Sequence, residues 1–335
     1  MTDGYRLPLF LTSRPILLLL LLTPGIPEYL SSSSPLNAIV LNPPMFLLQV
    51  LANIGLYGSG AILIHDARVR WNKGWWTVLL LGAAYGILEE GVALSTLFDP
   101  KAGPVGQLGS YGRWLGVNWV WAAGIVPFHA IFSVSIPLLL LGLALPETKT
   151  RTLLSGRRTV AVFLVLAADV IALMAIVWFV SGYWMGSPIL ISSLLAIGGL
   201  VWASRRAPPS FLRNQRQSQG PSSRTPALVG ISFFPAVLLT EGVGSAAGIP
   251  SFSDFLLLLL MQALYLIYVI RTDWTGSPRG ELALAIGLLI PIAAFGVLAE
   301  LSFPLTLLAD LALYVLFRRL WSAYSSTSTD AAGLL

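Results

Sequence analysis

The sequence predicts an all-α, polytopic integral membrane protein with about ten transmembrane helices and both termini in the cytoplasm. Three observations predict this class: 56% of the residues are hydrophobic, 10% are charged, and the mean hydropathy is +0.79. A soluble domain carries about 25% charged residues, which cover its water-facing surface. This chain lacks them, so we expect the hydrocarbon of a bilayer to surround most of it.

Ten apolar stretches approach the roughly 20 residues that a helix needs to cross a bilayer. Lys and Arg concentrate on the cytoplasmic loops of membrane proteins, so a correct number of spans should place most of them on one side of the membrane. With a cytoplasmic N-terminus, every Lys and Arg except Lys101 and Arg113 falls on the cytoplasmic side. The first stretch resembles a signal peptide but is followed by no small-residue cleavage site, and we expect it to remain as a span. The predicted spans are 12–30, 44–64, 75–97, 117–144, 159–181, 187–204, 226–241, 252–270, 281–300 and 303–317.

A polar segment divides the chain into two groups of helices. It is rich in Pro, Ser, Gln and Arg, a composition typical of flexible linkers. The two groups resemble one another weakly. The spacing in sequence between Glu28 of the first span and Glu90 of the third is similar to the spacing between Glu241 of the seventh span and Glu300 of the ninth. This similarity suggests a parallel internal repeat. The predicted units are helices 1–6 with the candidate polar site over 1–204, a flexible cytoplasmic linker over 205–226, helices 7–10 over 227–317, and a cytoplasmic tail over 318–335.

Two adjacent acidic residues, Glu89 and Glu90, lie inside the third span, where an uncompensated charge costs several kcal/mol. Glu90 lies roughly 10 Å below the outer end of its helix, and His129 of the fourth span lies roughly 15 Å below its own. The two side chains are therefore expected at similar depth on consecutive helices. Adjacent residues on an α-helix point about 100° apart, so we do not expect both carboxylates to face one neighbour.

Asn118 and Ser133 are predicted to share the helix face of His129, because they lie three turns before it and one turn after it. Together with the two carboxylates, this set fits general acid–base catalysis, in which a carboxylate activates water and polar groups stabilise an oxyanion. Small residues around Glu90 allow the fourth span to approach closely. The candidate catalytic residues are Glu89, Glu90, His129 and Asn118.

The composition excludes several other kinds of chemistry. The chain has no Cys, which rules out disulfides, thiolate metal sites and a cysteine nucleophile. It has two His, too few for a multi-histidine metal site, and no zinc-protease or nucleotide-binding motif, so we expect no cofactor. The stretch Tyr57-Gly58-Ser59-Gly60 lacks the first glycine of a serine-protease Gly-x-Ser-Gly motif, and its glycines indicate close helix packing instead.

Two alternatives to an enzyme remain. Intramembrane acids such as Asp169 and Asp310 are typical of a proton- or cation-coupled transporter, which requires a continuous polar path. Buried polar pairs also hold helices together in a non-enzymatic accessory or scaffold subunit of a membrane complex. The remaining acids of the spans lie at helix ends, where we expect lipid headgroups or water to solvate them; they are Glu28, Glu241 and Glu300.

The pair Glu89-Glu90, followed on the next span by Phe128-His129-Ala130-Ile131-Phe132-Ser133, resembles the intramembrane glutamic-protease superfamily. That group includes the CAAX prenyl endopeptidases and the PrsW-type site-1 proteases, and the resemblance covers residues 82–144. It implies that Glu89 and Glu90 activate the hydrolytic water and that His129 binds or polarises the scissile carbonyl. As partners we expect membrane lipids, other membrane subunits or a membrane-embedded peptide substrate, with no nucleic acid, and as location the cell membrane.

Overall fold

The structure, a computed structural model, describes residues 14–209, 224–272, 277–302 and 304–332. In these residues the chain is helical apart from one two-stranded hairpin, so the predicted all-α class is confirmed. The long helices are α1 Pro15–Leu30, α2 Pro43–Arg70, α3 Trp75–Ala93, α4 Trp119–Ala144, α5 Gly156–Ser181, α6 Ser187–Arg206, α7 Arg224–Ala246, α8 Ser251–Thr272, α9 Pro278–Ala299 and α10 Thr306–Ala332.

Short elements occupy the connections between the long helices. The antiparallel hairpin pairs β1, Arg113–Trp114, with β2, Val117–Asn118. Short helical turns span Ala38–Leu41, Gly103–Gly109 and Pro146–Lys149. The core is built mainly by the long helices, and Leu145 and Leu154 of the connection after α4 belong to it as well.

Several long helices begin at residues that satisfy the free backbone N–H groups of a first turn. The side chain of Asn42 accepts a hydrogen bond from Met45 N at the start of α2, and that of Asn118 accepts one from Trp121 N at the start of α4. Proline occupies the first turn of α2, where its missing N–H costs nothing. These capping residues fix where the polar connections end and the apolar helices begin.

Eight helices, α2 to α9, are long and apolar enough to cross a membrane. Two of the ten predicted spans fall outside this set. The first, α1, is shorter than the others, and the tenth corresponds to the first half of α10, whose second half carries Arg318 and Arg319. This helix continues to Ala332 through most of the predicted tail. The predicted linker lies mainly in residues 210–223, which are outside the described residues.

The core lies between α3 and α4. In their apolar windows 67% and 61% of the residues are buried, against 6% for α5 and 11% for α6. The outward faces of α5, α6 and α8 are covered with exposed Leu, Ile, Val and aromatic side chains. Such faces are stable next to lipid tails rather than water.

The two ends of the helical bundle differ in charge. At one end, which we call the basic end, Asp66 accepts hydrogen bonds from Leu153 N and Leu154 N, and His65 Nε2 lies 2.9 Å from Thr148 O. The sequence around these contacts, 65–74 and 145–158, is rich in Lys and Arg. The opposite end, which we call the loop end, holds the connecting segments 31–42, 94–118 and 247–250; there Glu300 accepts hydrogen bonds from Ser32 and Leu36 N, and Tyr111 donates to Ile249 O.

Glycines bring α3 and α4 into close contact. A Cβ added at Gly82 would lie 2.8 Å from Ala130 Cα, and one added at Gly86 would lie 3.2 Å from His129 Cβ. The glycines of the Tyr57-Gly58-Ser59-Gly60 stretch likewise pack directly against Leu20 and against the Tyr85 ring, so the predicted close packing is confirmed. Close approach of this kind is what lets short polar contacts form between membrane helices.

Gly82→Ala is expected to destabilise the protein by about 1–3 kcal/mol, because α4 must move away from the added methyl group. The matched control is Gly198→Ala on α6, where a Cβ meets no atom within 4 Å. The control is expected to be neutral or to stabilise slightly, since alanine favours a helix over glycine. Thermal unfolding in detergent measures both changes, and equal midpoints for the two variants would contradict the packing described.

Candidate functional site

Glu89, Glu90 and His129 come together in the interior of the bundle. His129 Nε2 lies 2.9 Å from Glu90 Oε1, and Nδ1 lies 3.2 Å from Glu89 Oε2. Glu89 is 1% exposed, Glu90 is 6% exposed and His129 is 2% exposed. The predicted proximity of Glu90 and His129 is therefore confirmed, and His129 supplies the ion-pair contacts of both carboxylates in the described part of the chain.

Both adjacent glutamates reach the same imidazole, which corrects the expectation from α-helical geometry. They contact its two opposite nitrogens, so the ring lies between them. The reason is a π-helical segment, Ile87–Ala93, in which an extra residue widens the turn and changes the direction of the side chains. The same nitrogen that faces Glu89 also lies 3.0 Å from Ser133 Oγ, within the predicted helix face.

π-Helical segments occur in all four helices that build the site. Such turns are rare, each disturbs the regular hydrogen bonds of its helix, and they occur frequently at functional sites. Here each segment holds a polar residue of the cluster. The segments are Gly25–Leu30 with Glu28, Ile54–Gly58 with Tyr57, Ile87–Ala93 with Glu89 and Glu90, and His129–Ser135 with His129 and Ser133.

Tyr57 and Glu28 extend the cluster toward the loop end. The Tyr57 hydroxyl lies within hydrogen-bond distance of Glu89 Oε1 and, at 2.5 Å, of Glu28 Oε1. The other oxygen of Glu28 accepts a hydrogen bond of 2.6 Å from Ser34. Glu28 is half-buried and both of its oxygens have partners inside the protein, so these contacts replace part of the solvation expected at a helix end.

Thr96 and Trp121 hold the other side of the cluster. The Thr96 hydroxyl donates to Glu90 Oε2 and accepts a hydrogen bond of 3.2 Å from the Trp121 indole. Thr96 is 2% exposed and belongs to the segment that follows α3. The first oxygen of Glu90 faces His129, so both oxygens of this carboxylate have partners.

Asn118 does not join the cluster, contrary to the prediction. Its Nδ2 donates to Leu108 O and its Oδ1 accepts from Trp121 N, so the amide caps α4. The helical spacing from Asn118 to His129 does not apply, because the backbone of Asn118 is extended and α4 begins only at the next residue. Asn118 supports the site only indirectly, through Trp121 and the loop end.

Two tyrosine rings enclose the imidazole of His129. Tyr57 stacks on it with ring centres 6.2 Å apart, and Tyr85 meets it edge-on at the same distance. The Tyr85 hydroxyl is buried and makes no hydrogen bond in the described part of the chain. Asp169 of α5 is near enough to influence this hydroxyl electrostatically and also touches the open face of Gly55. Polar groups therefore continue from the cluster toward α5.

The other acids of the spans lie apart from the cluster. Glu300 accepts hydrogen bonds from Ser32 and from Leu36 N, and so fastens the loop 31–36 to the end of α9. Glu241 of α7 is buried against Gly124 of α4, and Asp254 of α8 is buried against Gly244 of α7; each has one oxygen without a hydrogen-bond partner in the described residues. These contacts correct the expected solvation of Glu241 and Glu300.

The segment 94–118 covers the site at the loop end. Arg113 donates to Phe98 O at 2.7 Å and to Gly109 O at 3.0 Å, so its side chain ties the segment together. Burial lowers the pKa of the Arg113 guanidinium. Burial also raises the pKa of Tyr111 to about 12, and the hydrogen bond from its hydroxyl to Asp254 adds to this rise.

A groove of about 390 Å³ opens between α3, α4, α7, α8 and α9. Its lining is almost entirely apolar, and its polar residues are Ser135, Gln262 and Glu281. Ala83 and Ala130 line the groove, whereas Glu89, Glu90 and His129 do not. The cluster and the groove therefore lie on different faces of the contact between α3 and α4.

The cluster is also the one group in the described residues whose acidic and His side chains lie close enough to hold a metal ion. One ligand atom from each of Glu89, Glu90 and His129 lies within 4.8 Å of the others. Two carboxylates and one imidazole suit a divalent transition metal. The two imidazole nitrogens already face carboxylates, however, so the observed arrangement is that of an ion-pair and hydrogen-bond cluster.

Comparisons with known proteins add no relative: no family model matches the chain, and no curated protein and no solved structure matches it.

His129→Leu is expected to lower the free energy of unfolding by roughly 1–3 kcal/mol, because two buried carboxylates lose their partner. A double-mutant cycle with Glu90→Gln is expected to give a coupling of about 0.5–3 kcal/mol, as for residues in direct contact. Chemical unfolding in detergent measures these changes. The control pair combines His129→Leu with Asp310→Asn on α10, and the two effects should add. A coupling no larger than that of the control pair would contradict the contact.

Proposed function

We propose that the chain is a glutamate-dependent hydrolase that cleaves peptide bonds inside the membrane. The single observation that carries the proposal is the buried contact of two carboxylates with one imidazole, held by Tyr57 and Thr96. A carboxylate next to an imidazole supplies the base, the acid and the hydrogen-bond donor that peptide hydrolysis needs. The chain has Leu94 and Ile125 where the CAAX-protease pattern has Arg and Phe, so the proposal rests mainly on these contacts.

In the proposed reaction Glu89 is the base. Its Oε2 makes no hydrogen bond in the described residues and lies beside the imidazole, where it can take a proton from water. The water oxygen forms a bond to the scissile carbonyl carbon, and His129 polarises the carbonyl oxygen. When the C–N bond breaks, the protonated Glu89 gives its proton to the leaving amine. Glu90 holds the imidazole in place and stabilises its positive charge.

The site is closed in this arrangement, so a substrate and water need an opening. Thr96 ties the segment 94–118 to Glu90, and the segment lies over the site at the loop end. Movement of this segment would free Glu90 and admit water while the helices keep their packing. Lids that close over hydrolytic sites act in this way to control the access of water.

The structural features give the transporter alternative less support. The hydrogen bonds run from Ser34 through Glu28 and Tyr57 to the cluster and then to Thr96, and both ends of this series lie at the loop end, while Tyr85 and Asp169 extend the polar groups toward α5. A transporter needs a path to the basic end as well. An accessory subunit would need none of these contacts, although the apolar faces of α5, α6 and α8 suit contact with lipids or other membrane subunits.

We propose a ten-span arrangement for this enzyme in the cell membrane, with α1 and α10 as the first and last spans and both termini in the cytoplasm. The basic end then faces the cytoplasm, in line with the positive-inside rule. The loop end, with the site nearest to it, faces outward. The similarity of the two groups of helices would correspond to a parallel repeat.

Cysteine labelling tests this topology, because the chain has no Cys of its own. Single cysteines are placed at Ser33, Gln107, Ser218 and Ser326 in intact cells. A reagent that does not cross the membrane is expected to label the first two and to label the last two only after permeabilisation. Labelling of position 218 together with position 33 would contradict the arrangement.

Cleavage is tested in proteoliposomes with a panel of fluorogenic peptides, each a single transmembrane helix. Glu90→Gln and His129→Gln are expected to reduce the cleavage rate by roughly 10²–10⁴-fold, the usual contribution of acid–base catalysis. Asp310→Asn, an intramembrane acid outside the cluster, is the matched control and should keep the wild-type rate. Cleavage that survives both cluster substitutions would contradict the proposal. Transport of protons by the same proteoliposomes would favour the transporter instead.

A further inference from the structure

We infer that Glu28 and Tyr57 share a proton with Glu89 and thereby set whether this carboxyl acts as a base or as an acid. The inference rests on the proposed function, because it concerns the same site, and it adds two residues from α1 and α2 to it. Neither residue belongs to the segment 82–144 that resembles the glutamic proteases. In this scheme Glu28 and Tyr57 are positioning residues, and Glu89 is the group that touches the reacting water.

The inference rests on how many protons are needed to make both contacts of the Tyr57 hydroxyl hydrogen bonds. The Tyr57 oxygen lies within hydrogen-bond distance of Glu28 Oε1 and of Glu89 Oε1. A phenol has one proton and can donate to only one carboxylate. In the proposed arrangement a carboxyl group donates to the phenol oxygen in the second contact, so that one of the two acids carries a proton. The three groups therefore hold two protons between them, one on the phenol and one on a carboxyl.

The carboxyl proton can lie on either of the two acids, and each position defines one form of the Glu28, Tyr57 and Glu89 series. In the first, Glu28 is protonated and donates to Tyr57, which donates to the ionised Glu89. In the second, the phenol proton has passed to Glu89 Oε1 and the Glu28 proton has passed to the phenol oxygen, so Glu89 donates to Tyr57 and Tyr57 donates to the ionised Glu28. Conversion moves one proton across each of the two contacts, breaks and forms one O–H bond at each, and leaves the total charge unchanged. No heavy atom has to move.

Each form suits one half of hydrolysis. When the proton is on Glu28, Glu89 is ionised and can accept a proton from water. When the proton is on Glu89, this carboxyl can donate to the leaving amine. The burial of Tyr57, which is 3% exposed, keeps bulk water away from the shared proton. Exchange with the outside runs through Ser34, whose hydroxyl donates to Glu28 Oε2 and whose neighbour Ser33 is exposed.

Among the described residues, the titratable groups that face Tyr57 include no cation except His129 when its ring is protonated. The titratable groups that face Tyr57 are Glu28 on α1, Glu89 and Tyr85 on α3, and His129 on α4. Beyond them, Glu90 contacts His129, and Asp169 on α5 acts electrostatically on Tyr85. A proton shared between Glu28 and Glu89 is therefore available to neutralise one of these two carboxylates. A phenol between them provides a fixed position for it.

Infrared spectroscopy of the purified protein in detergent tests the shared proton without any substrate. The carbonyl stretch of a protonated carboxylic acid is recorded in H₂O and D₂O for the wild type, Glu28→Gln, Tyr57→Phe and the matched control Tyr29→Phe. Glu28→Gln is expected to remove one component of this band, and Tyr57→Phe to shift the same component. Tyr29→Phe should leave it unchanged, because the Tyr29 hydroxyl contacts the Asn53 amide and is not hydrogen-bonded to either carboxyl. Size-exclusion elution confirms that each variant is folded.

An unchanged carbonyl band in both Glu28→Gln and Tyr57→Phe would overturn the shared proton. Cleavage provides the second readout: Tyr57→Phe is expected to lower kcat by roughly 10²-fold with little change in KM and to shift the pH profile, whereas Tyr29→Phe keeps both. A wild-type protein that cleaves no peptide but shows the expected band changes would refute the proposed hydrolysis and leave the shared proton standing. Normal kcat and pH profile in Tyr57→Phe would refute its part in the reaction.

Discussion

The cost of burying charge in a medium of low dielectric constant determines how α1 to α4 are arranged. An ionised carboxylate without partners is strongly unfavourable there, and two adjacent ones are more so. The chain places Glu89 and Glu90 in its most buried helix and supplies no Lys or Arg to pair with them in the described residues. The imidazole of α4, the phenol of α2 and the hydroxyl of Thr96 supply the contacts instead. Four separate parts of the sequence therefore have to meet at one point.

Two backbone features make this meeting possible. Glycines on α3 remove the side chains that would hold α4 away, and the π-helical segments turn the polar side chains toward one another. A regular α-helix would direct Glu89 and Glu90 about 100° apart, so one carboxylate would face lipid or an apolar neighbour. The irregular turns cost regular hydrogen bonds, and the protein tolerates them where they place a polar group. Their occurrence on every helix of the site links the backbone irregularity to the cluster.

The sequence predicts the helical class and the principal contact well, because both depend on local patterns. Long apolar stretches define the helices, and equal depth on consecutive antiparallel helices brings Glu90 next to His129. The prediction that Asn118 belongs to the cluster assumed regular helical spacing, and it is wrong because α4 begins after this residue. Tyr57 and Glu28 were not predicted as members of the cluster, because their contacts join α1, α2 and α3 across distances that periodicity does not encode. An acid and a tyrosine within the first two apolar spans were the only signal.

The central claim is that the imidazole of His129 lies between the carboxylates of Glu89 and Glu90. Nitrogen-15 magnetic resonance of the protein labelled at its two histidines tests this claim most directly, with His65→Gln to assign the signals. Glu90→Gln is expected to shift mainly the Nε2 signal of His129, and Glu89→Gln mainly the Nδ1 signal, while the His65 signals stay in place. His129 signals that do not respond to either substitution would contradict the account.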